Sequence, residues 1–267
     1  NIEKIEHPAV RETLKYFNSS KGLEIHHDGD LPARSGLGSS STFTVGLINC
    51  MNTLEGIHNN SYQLASSAIH IEQDLIKESV GSQDQISAAY GGFNEIEFRK
   101  DGSFSVEPKM INIERKKSLN DHLMLFYTGV SRFSSEITES QLSNMKNCSS
   151  QMHELYEMVE EGSKILMNPK TPLEEFGELL NSAWKNKRTL SNKISNTQID
   201  QCYAAAIKAG ASGGKILGAG GGGFILFFVS PQHQINVKNA LSSLTLVTFN
   251  FENSGSKVVV NQPNGWK

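Results

Sequence analysis

The stretch that decides the fold is Leu31-Pro32-Ala33-Arg34-Ser35-Gly36-Leu37-Gly38-Ser39-Ser40-Ser41, in which glycines and hydroxyls crowd together just ahead of an apolar-periodic segment. Gly36 and Gly38 open backbone conformations closed to other residues, so successive N–H groups can turn toward an anion, and a helix that follows adds the positive end of its dipole. Leu47, Ile48, Met51 and Leu54 recur at helical spacing, which predicts a helix from about Ser39 to Glu55. The same residues also suit a plain turn and N-cap, and the spacing alone leaves the two readings level. The stretch is not a GxxxxGK[ST] phosphate loop: three serines follow Gly38 where that motif carries a lysine. Any phosphate charge must then be met by backbone amides, a metal and residues from elsewhere in the chain.

The 267 residues, 37% of them hydrophobic, suffice for one large or two modest domains, and two are expected. A net charge of −3 and a pI near 6.3 provide no basic field for nucleic acid, and no apolar run approaches a membrane span. Cys50, Cys148 and Cys202 are scattered and odd in number, which fits reduced thiols packed in a soluble, cytoplasmic protein. Ile2 to Phe17 reads as a helix, and Ser61 to Lys77 as another, capped by Ser61 and with Leu64, Ala65, Ala68, Ile71 and Leu75 on one face. A short helix ends at Tyr90, Phe93 to Phe98 alternates like a strand before Asp101-Gly102, and Leu123 to Thr128 is an apolar strand. Helical patterns then span Ser134 to Met167, Pro172 to Leu190 and Thr197 to Ala209, ahead of glycines and the apolar run Phe224 to Val229. A composition shift near Lys116 to Asp121 marks the expected boundary, giving domains 1–118 and 119–267 with the active site between them.

Gly218-Ala219-Gly220-Gly221-Gly222-Gly223 formally satisfies GxGxxG, but these glycines run into a strand rather than a helix and lack the ribose-binding acid of a dinucleotide fold. Four consecutive glycines exceed the needs of a turn and favour close approach to a ligand over mere backbone packing. Two carboxylates stand out. Glu72 lies beside the face of Ile71 and Leu75, and Asp84 sits between Gln83 and Gln85 after Gly81. Spacing alone favours a solvated helix acid for Glu72 and leaves Asp84 equally a helix cap.

Taken together, Pro32-x-x-x-Gly36-Leu37-Gly38-Ser39-Ser40-Ser41 and Lys215-x-x-Gly218-Ala219-Gly220-Gly221-Gly222-Gly223 resemble two of the three motifs of the GHMP kinases, in matching order and separation over nearly the whole chain. The resemblance implies an α+β, two-domain fold, with a ribosomal-protein-like N-terminal domain and a ferredoxin-like C-terminal domain. It implies ATP bound along Gly36, Leu37, Gly38, Ser39, Ser40 and Ser41, Mg²⁺ held by Ser40 (with Ser39 a further candidate) and Glu72, and Asp84 orienting or deprotonating the acceptor hydroxyl. Gly220, Gly221, Gly222 and Gly223 would flank the phosphates and substrate. Within the superfamily, Gly81-x-Gln83-Asp84-Gln85, Ala89-Tyr90-Gly91-Gly92-Phe93-Asn94 and Tyr127-Thr128-Gly129-x-Ser131-Arg132-x-Ser134-Ser135 look most like sugar 1-kinases of the D-glycero-D-manno-heptose 7-phosphate type. Such enzymes phosphorylate an anomeric hydroxyl, here giving a 1,7-bisphosphate. Arg132 and Ser134, at a strand end opening a helix, suit the sugar's existing phosphate, although a helix cap and a solvated arginine explain them too. A free sugar such as fucose or galactose is the alternative acceptor, and a non-catalytic nucleotide- and sugar-binding regulator the alternative function.

The family's opening strand, with its glycine- and aspartate-containing motif, has no match before Leu31, so the first strands and their sugar contacts are expected to lie outside the sequence. His26-His27 are expected to point to opposite faces of a strand and bind no metal. The cluster Lys185-Asn186-Lys187-Arg188 complements a helix C-terminus, and Met145, Met152, Met158 and Met167 are expected as core fillers.

Overall fold

A computed structural model describes residues 1–32, 35–130 and 134–262, without the side chains at positions 134–136 and 146. The chain forms two compact units. The first comprises Asn1–Ala33, Gly38–Glu107 and Glu252–Lys267; the second comprises Arg34–Leu37 and Pro108–Phe251.

In the first unit, Pro8 sets the boundary between a short 3₁₀ turn at Ile2–Lys4 and helix α1 (Pro8–Tyr16), because proline suits the first helical position and not the interior. The single helix expected over this stretch is therefore split. Helix α2 (Ser39–Leu54) starts from Gly38 in the left-handed conformation (φ 70°). Asn60, not Ser61, caps α3 (Ser61–Ile69), its side chain bonded to the Gln63 amide while Gln63 reaches back to the Asn60 amide. The chain then widens into a π-helical turn, His70–Leu75, before α4 (Gln83–Tyr90) and the hairpin of β1 (Asn94–Phe98) and β2 (Phe104–Pro108). Val45, Ile48, Ala65, Ala68, Ile71 and Ile86 close the core of this unit. Residues 252–262 return to it: the Ser256 amide donates to Ala88 O (2.8 Å) and the Gly92 amide to Glu252 O (3.1 Å). No strand forms around His26 and His27. His26 contacts the Glu24 carboxylate and His27 packs on Phe43.

The second unit contains α5 (Ile113–Asp121), β3 (Leu123–Tyr127), α6 (Ser134–Asn144), α7 (Ser149–Met167), α8 (Glu174–Thr189), α9 (Thr197–Lys208), β4 (Ala211–Ile216), β5 (Phe224–Val229), α10 (Gln234–Ala240) and β6 (Thr245–Val247). A 3₁₀ turn at Met145–Cys148 divides the continuous helix expected from Ser134 to Met167. The strands form one antiparallel sheet in the order β4-β5-β3-β6, with Leu125 opposite both Leu226 and Val247. With helices between β3 and β4 and again between β5 and β6, this is the split β-α-β-β-α-β order of the ferredoxin-like fold. β5 is central and apolar on both faces; Phe126, Trp184, Ile194, Ile216 and Phe227 lie in the core around it. The methionines depart from expectation: Met145, Met152 and Met167 are 44%, 39% and 42% exposed, because they sit on the outer sides of α7 and of the turn that joins it to α6. Cys50 is exposed as well, whereas Cys148 is buried.

Candidate active site

The serine run and the two acids meet in the first unit. Ala65, Ala68 and Glu72 follow one another at helical intervals on the buried side, and Glu72 is only 1% exposed. This corrects the solvated-acid reading. The π turn that carries Glu72 is the kind of local widening found at functional positions. Glu72 Oε2 accepts from Ser41 Oγ (2.8 Å) and Gln85 Nε2 (2.5 Å), while Oε1 is buried with no partner among the described residues. A carboxylate stripped of water on one oxygen is costly unless a cation or donor meets it. Ser40 is exposed at the start of α2 and Ser39 is half-buried, so Ser41 is the serine bonded to Glu72.

Asp84 lies in the first turn of α4. A Cβ on Gly38 would sit 2.8 Å from Asp84 Cγ and 3.0 Å from Oδ2, so glycine at 38 serves both the left-handed turn and the approach of this carboxyl. Asp84 keeps solvent access, yet the chain around its carboxyl removes water from it and, second, the charge of Glu72 opposes ionisation; both push its pKa up. Burial and the Glu72 charge raise Glu78 in the same way. Among the described residues no three His, Cys, Asp or Glu side chains converge to hold a metal by themselves. The orphaned Glu72 oxygen instead fits Mg²⁺, which takes one or two carboxylates and completes its shell with water and phosphate oxygens.

In the second unit, residues 35–37 run alongside the loop joining β4 to β5. A Cβ on Gly36 would sit 3.1 Å from Leu217 O, and one on Gly223 would collide with Ser35 O. Several of the loop's carbonyls are occupied: Gly218 O accepts from Lys187 Nζ (2.7 Å), Ala219 O from Gln141 Nε2 (2.8 Å) and Gly221 O from Asn196 Nδ2 (3.2 Å). Gly223 O accepts from the Thr128 amide (2.9 Å) and its Oγ1 (2.8 Å). The amides of Gly221 and Gly223 are bonded to Ile194 O and Val130 O, both at 2.8 Å; those of Gly218, Ala219, Gly220 and Gly222 meet no acceptor among the described residues. Amides left open beside carbonyls that are tied back suit an anion.

Arg132 lies outside the described residues, and for Ser134 only its place at the start of α6 is described. The sequence pattern did not single out Gln85, Gln141, Asn196 or Lys187 as site residues. Gln85 flanks Asp84 in Gln83-Asp84-Gln85 and was a visible signal; the other three touch the glycine loop from helices α6 and α8 and the turn before α9, which no spacing rule reveals.

Residues 4–92 match the GHMP kinases N terminal domain and residues 169–245 the GHMP kinases C terminal domain. The D-glycero-alpha-D-manno-heptose 7-phosphate kinase of Campylobacter jejuni subsp. jejuni serotype O:2 is 32% identical over 225 residues, which are 82% of this chain and 65% of that protein. The L-fucokinase/L-fucose-1-P guanylyltransferase of Bacteroides fragilis is 26% identical over 89% of this chain and 25% of its own length. The chain thus spans less than two thirds of these curated relatives. The crystal structure of a D-glycero-D-manno-heptose 1-phosphate kinase from Bacteroides thetaiotaomicron superposes with a TM-score of 0.69 at 25% identity, over 93% of this chain and 71% of that one. A mevalonate kinase structure shares the fold with a TM-score of 0.72 at 21% identity, over 95% and 79%. With both family domains in order along it, the chain belongs to the GHMP kinases.

Proposed function

We propose that the protein transfers the γ-phosphate of ATP to a sugar hydroxyl, with Mg²⁺ as cofactor. The observation that carries this reading is the buried Glu72 carboxylate, fixed through one oxygen by Ser41 and Gln85 and unpartnered at the other. Glu72, with the exposed Ser40, is assigned to Mg²⁺. The amides of Gly36 to Ser39 and the dipole of α2 are assigned to the ATP phosphates, and Gly220 to Gly223 to the phosphates and substrate. When bound, Mg²⁺ neutralises charge on the phosphates. Asp84 holds the acceptor hydroxyl and takes its proton as the hydroxyl oxygen bonds to the γ-phosphorus and the bond to the ADP oxygen breaks. Its raised pKa makes the ionised carboxylate a stronger base.

For the acceptor we assign the anomeric hydroxyl of a sugar phosphate, D-glycero-D-manno-heptose 7-phosphate, giving the 1,7-bisphosphate. The Campylobacter relative, named for that substrate, supports this, and Arg132 and Ser134 are assigned to the existing phosphate. The test is ATP consumption with Mg²⁺ against free and phosphorylated hexoses and heptoses. Turnover confined to heptose 7-phosphate supports the assignment. Turnover of fucose or galactose instead moves the acceptor to a free sugar, and ATP binding without transfer to any acceptor contradicts the kinase reading in favour of a regulator.

A further inference from the structure

Two lysines of the second unit have a placement that the proposed reaction leaves unused. Lys187, in the last turn of α8, is half-buried and gives one of its three donors to Gly218 O at 2.7 Å. Lys215, near the end of β4, is also half-buried and shares a strand face with Gly213, which packs against Gly177 and Asn181 of α8. Neither lysine pairs with a carboxylate among the described residues. From α7, Glu154 is taken by Asn186 Nδ2 (2.7 Å), and the nearby Asp200 of α9 by Arg188 (2.8 Å) and Ser195 (2.6 Å). β5, the remaining strand against α8, carries no ionisable group. Burial and then the charge of Lys215 bring the Lys187 pKa down to about 7, and burial lowers that of Lys215. Two ammonium groups drawn from water without a counter-charge are unfavourable in the folded chain. They adjoin a loop whose amides at 218, 219, 220 and 222 meet no acceptor among the described residues. The stretch Gly36 to Ser41, for its part, has no lysine of its own.

We infer that Lys187 and Lys215 form a cationic seat beside the loop 217–223 for a phosphate group of a bound ligand. The inference rests on the phosphotransferase reading, and the phosphate can come from the nucleotide or from a phosphorylated sugar. Calorimetric titration of the full chain with ATP, and separately with mannose 6-phosphate, tests it in the wild type and in Lys187→Gln, Lys215→Gln and Lys187→Arg, with thermal melts as the folding control. Each glutamine variant removes a charge-assisted hydrogen bond to phosphate, so roughly ten- to hundred-fold weaker binding is expected, with Lys187→Arg within a few-fold of wild type. Loss toward ATP alone assigns the seat to the nucleotide, and loss toward mannose 6-phosphate alone to the acceptor. Because an anion favours the charged form of Lys187, wild-type binding at pH 8 takes up a proton, read from buffers of different ionisation enthalpy. Lys187→Arg, always charged, takes up less, because only Lys215 can still gain a proton. Folded glutamine variants that bind both ligands within two-fold of wild type overturn the seat and leave the kinase reading standing. If those variants fail to fold, wild-type binding at pH 8 without proton uptake overturns it. A wild type that binds neither ligand overturns both.

Discussion

Asp84 stands where catalysis and stability oppose each other. A carboxyl whose pKa is raised on folding favours the protonated form, so its contribution is full below the unfolded pKa, near the ordinary 3.8, and is lost as pH rises through the higher folded value. Asp84→Asn removes that penalty. In thermal melts without metal, the variant should be more stable than wild type at pH 7 and should lose this advantage near pH 3; a variant less stable at pH 7 contradicts the crowding described around Asp84. Gly38→Ala acts in the opposite sense. Its methyl group needs a left-handed backbone and lands 2.8 Å from the Asp84 carboxyl carbon, so a loss of roughly 1–3 kcal/mol in denaturant unfolding is expected. Of these residues Asp84 stood out by its glycine-led, glutamine-flanked setting, which left a site acid and a helix cap level. Glu72 did not stand out, because helical periodicity locates a face but does not show that Ser41 and Gln85, distant in sequence, hold its carboxylate in the interior.

At the scale of elements, close packing of α8 on β4 depends on two residues without side chains. A Cβ on Gly213 would strike the backbone carbonyl of Gly177, which cannot rotate away, and one on Gly177 would lie 2.7 Å from the Phe228 ring. Gly213→Ala should therefore destabilise the chain by roughly 1–3 kcal/mol in urea unfolding, and an effect below about 0.5 kcal/mol would contradict the packing. In the sequence Gly213 read only as part of a glycine-rich prelude to β5, and Gly177 lay inside a helical pattern that gave it no signal. Periodicity located α2, α3, α8, α9, β1, β3 and β5, but it did not mark α5, α10, β2, β4 or β6. Breaks were not legible, since the π turn after Ile69 and the 3₁₀ turn at Met145–Cys148 leave the hydrophobic spacing almost undisturbed. That same blindness put the α7 methionines in the core: helical spacing marks one apolar stripe, and α7 carries more apolar residues than its packed side can bury.

At the scale of the whole molecule, the two motifs and their order carried the family and the ferredoxin-like second domain, because each motif specifies both a backbone shape and its neighbours. The return of residues 252–262 to the first unit had no local signal; it rests on Ser256 bonding to Ala88 O, on Asn49 Nδ2 bonding to Ser256 Oγ (3.1 Å), and on Gly255 lying against Ala89 O. Ending the chain after Phe251 should lower first-unit stability by roughly 2–4 kcal/mol and admit proteolysis near Tyr90, while β3 to β6 retain their protection from hydrogen exchange. An unchanged melt would show that the returning segment does not hold this unit. Among the described residues no helix is long and apolar enough to cross a membrane. The central claim is that Asp84 takes the proton of an acceptor hydroxyl during phosphate transfer from ATP. The direct measurement is transfer of radiolabelled γ-phosphate to heptose 7-phosphate with Mg²⁺ by wild type and Asp84→Asn, alongside ATP binding by both. Wild-type transfer, with a loss of roughly 10²-fold or more in a variant that still binds ATP, is the predicted result; transfer by Asp84→Asn within a few-fold of wild type would contradict the account.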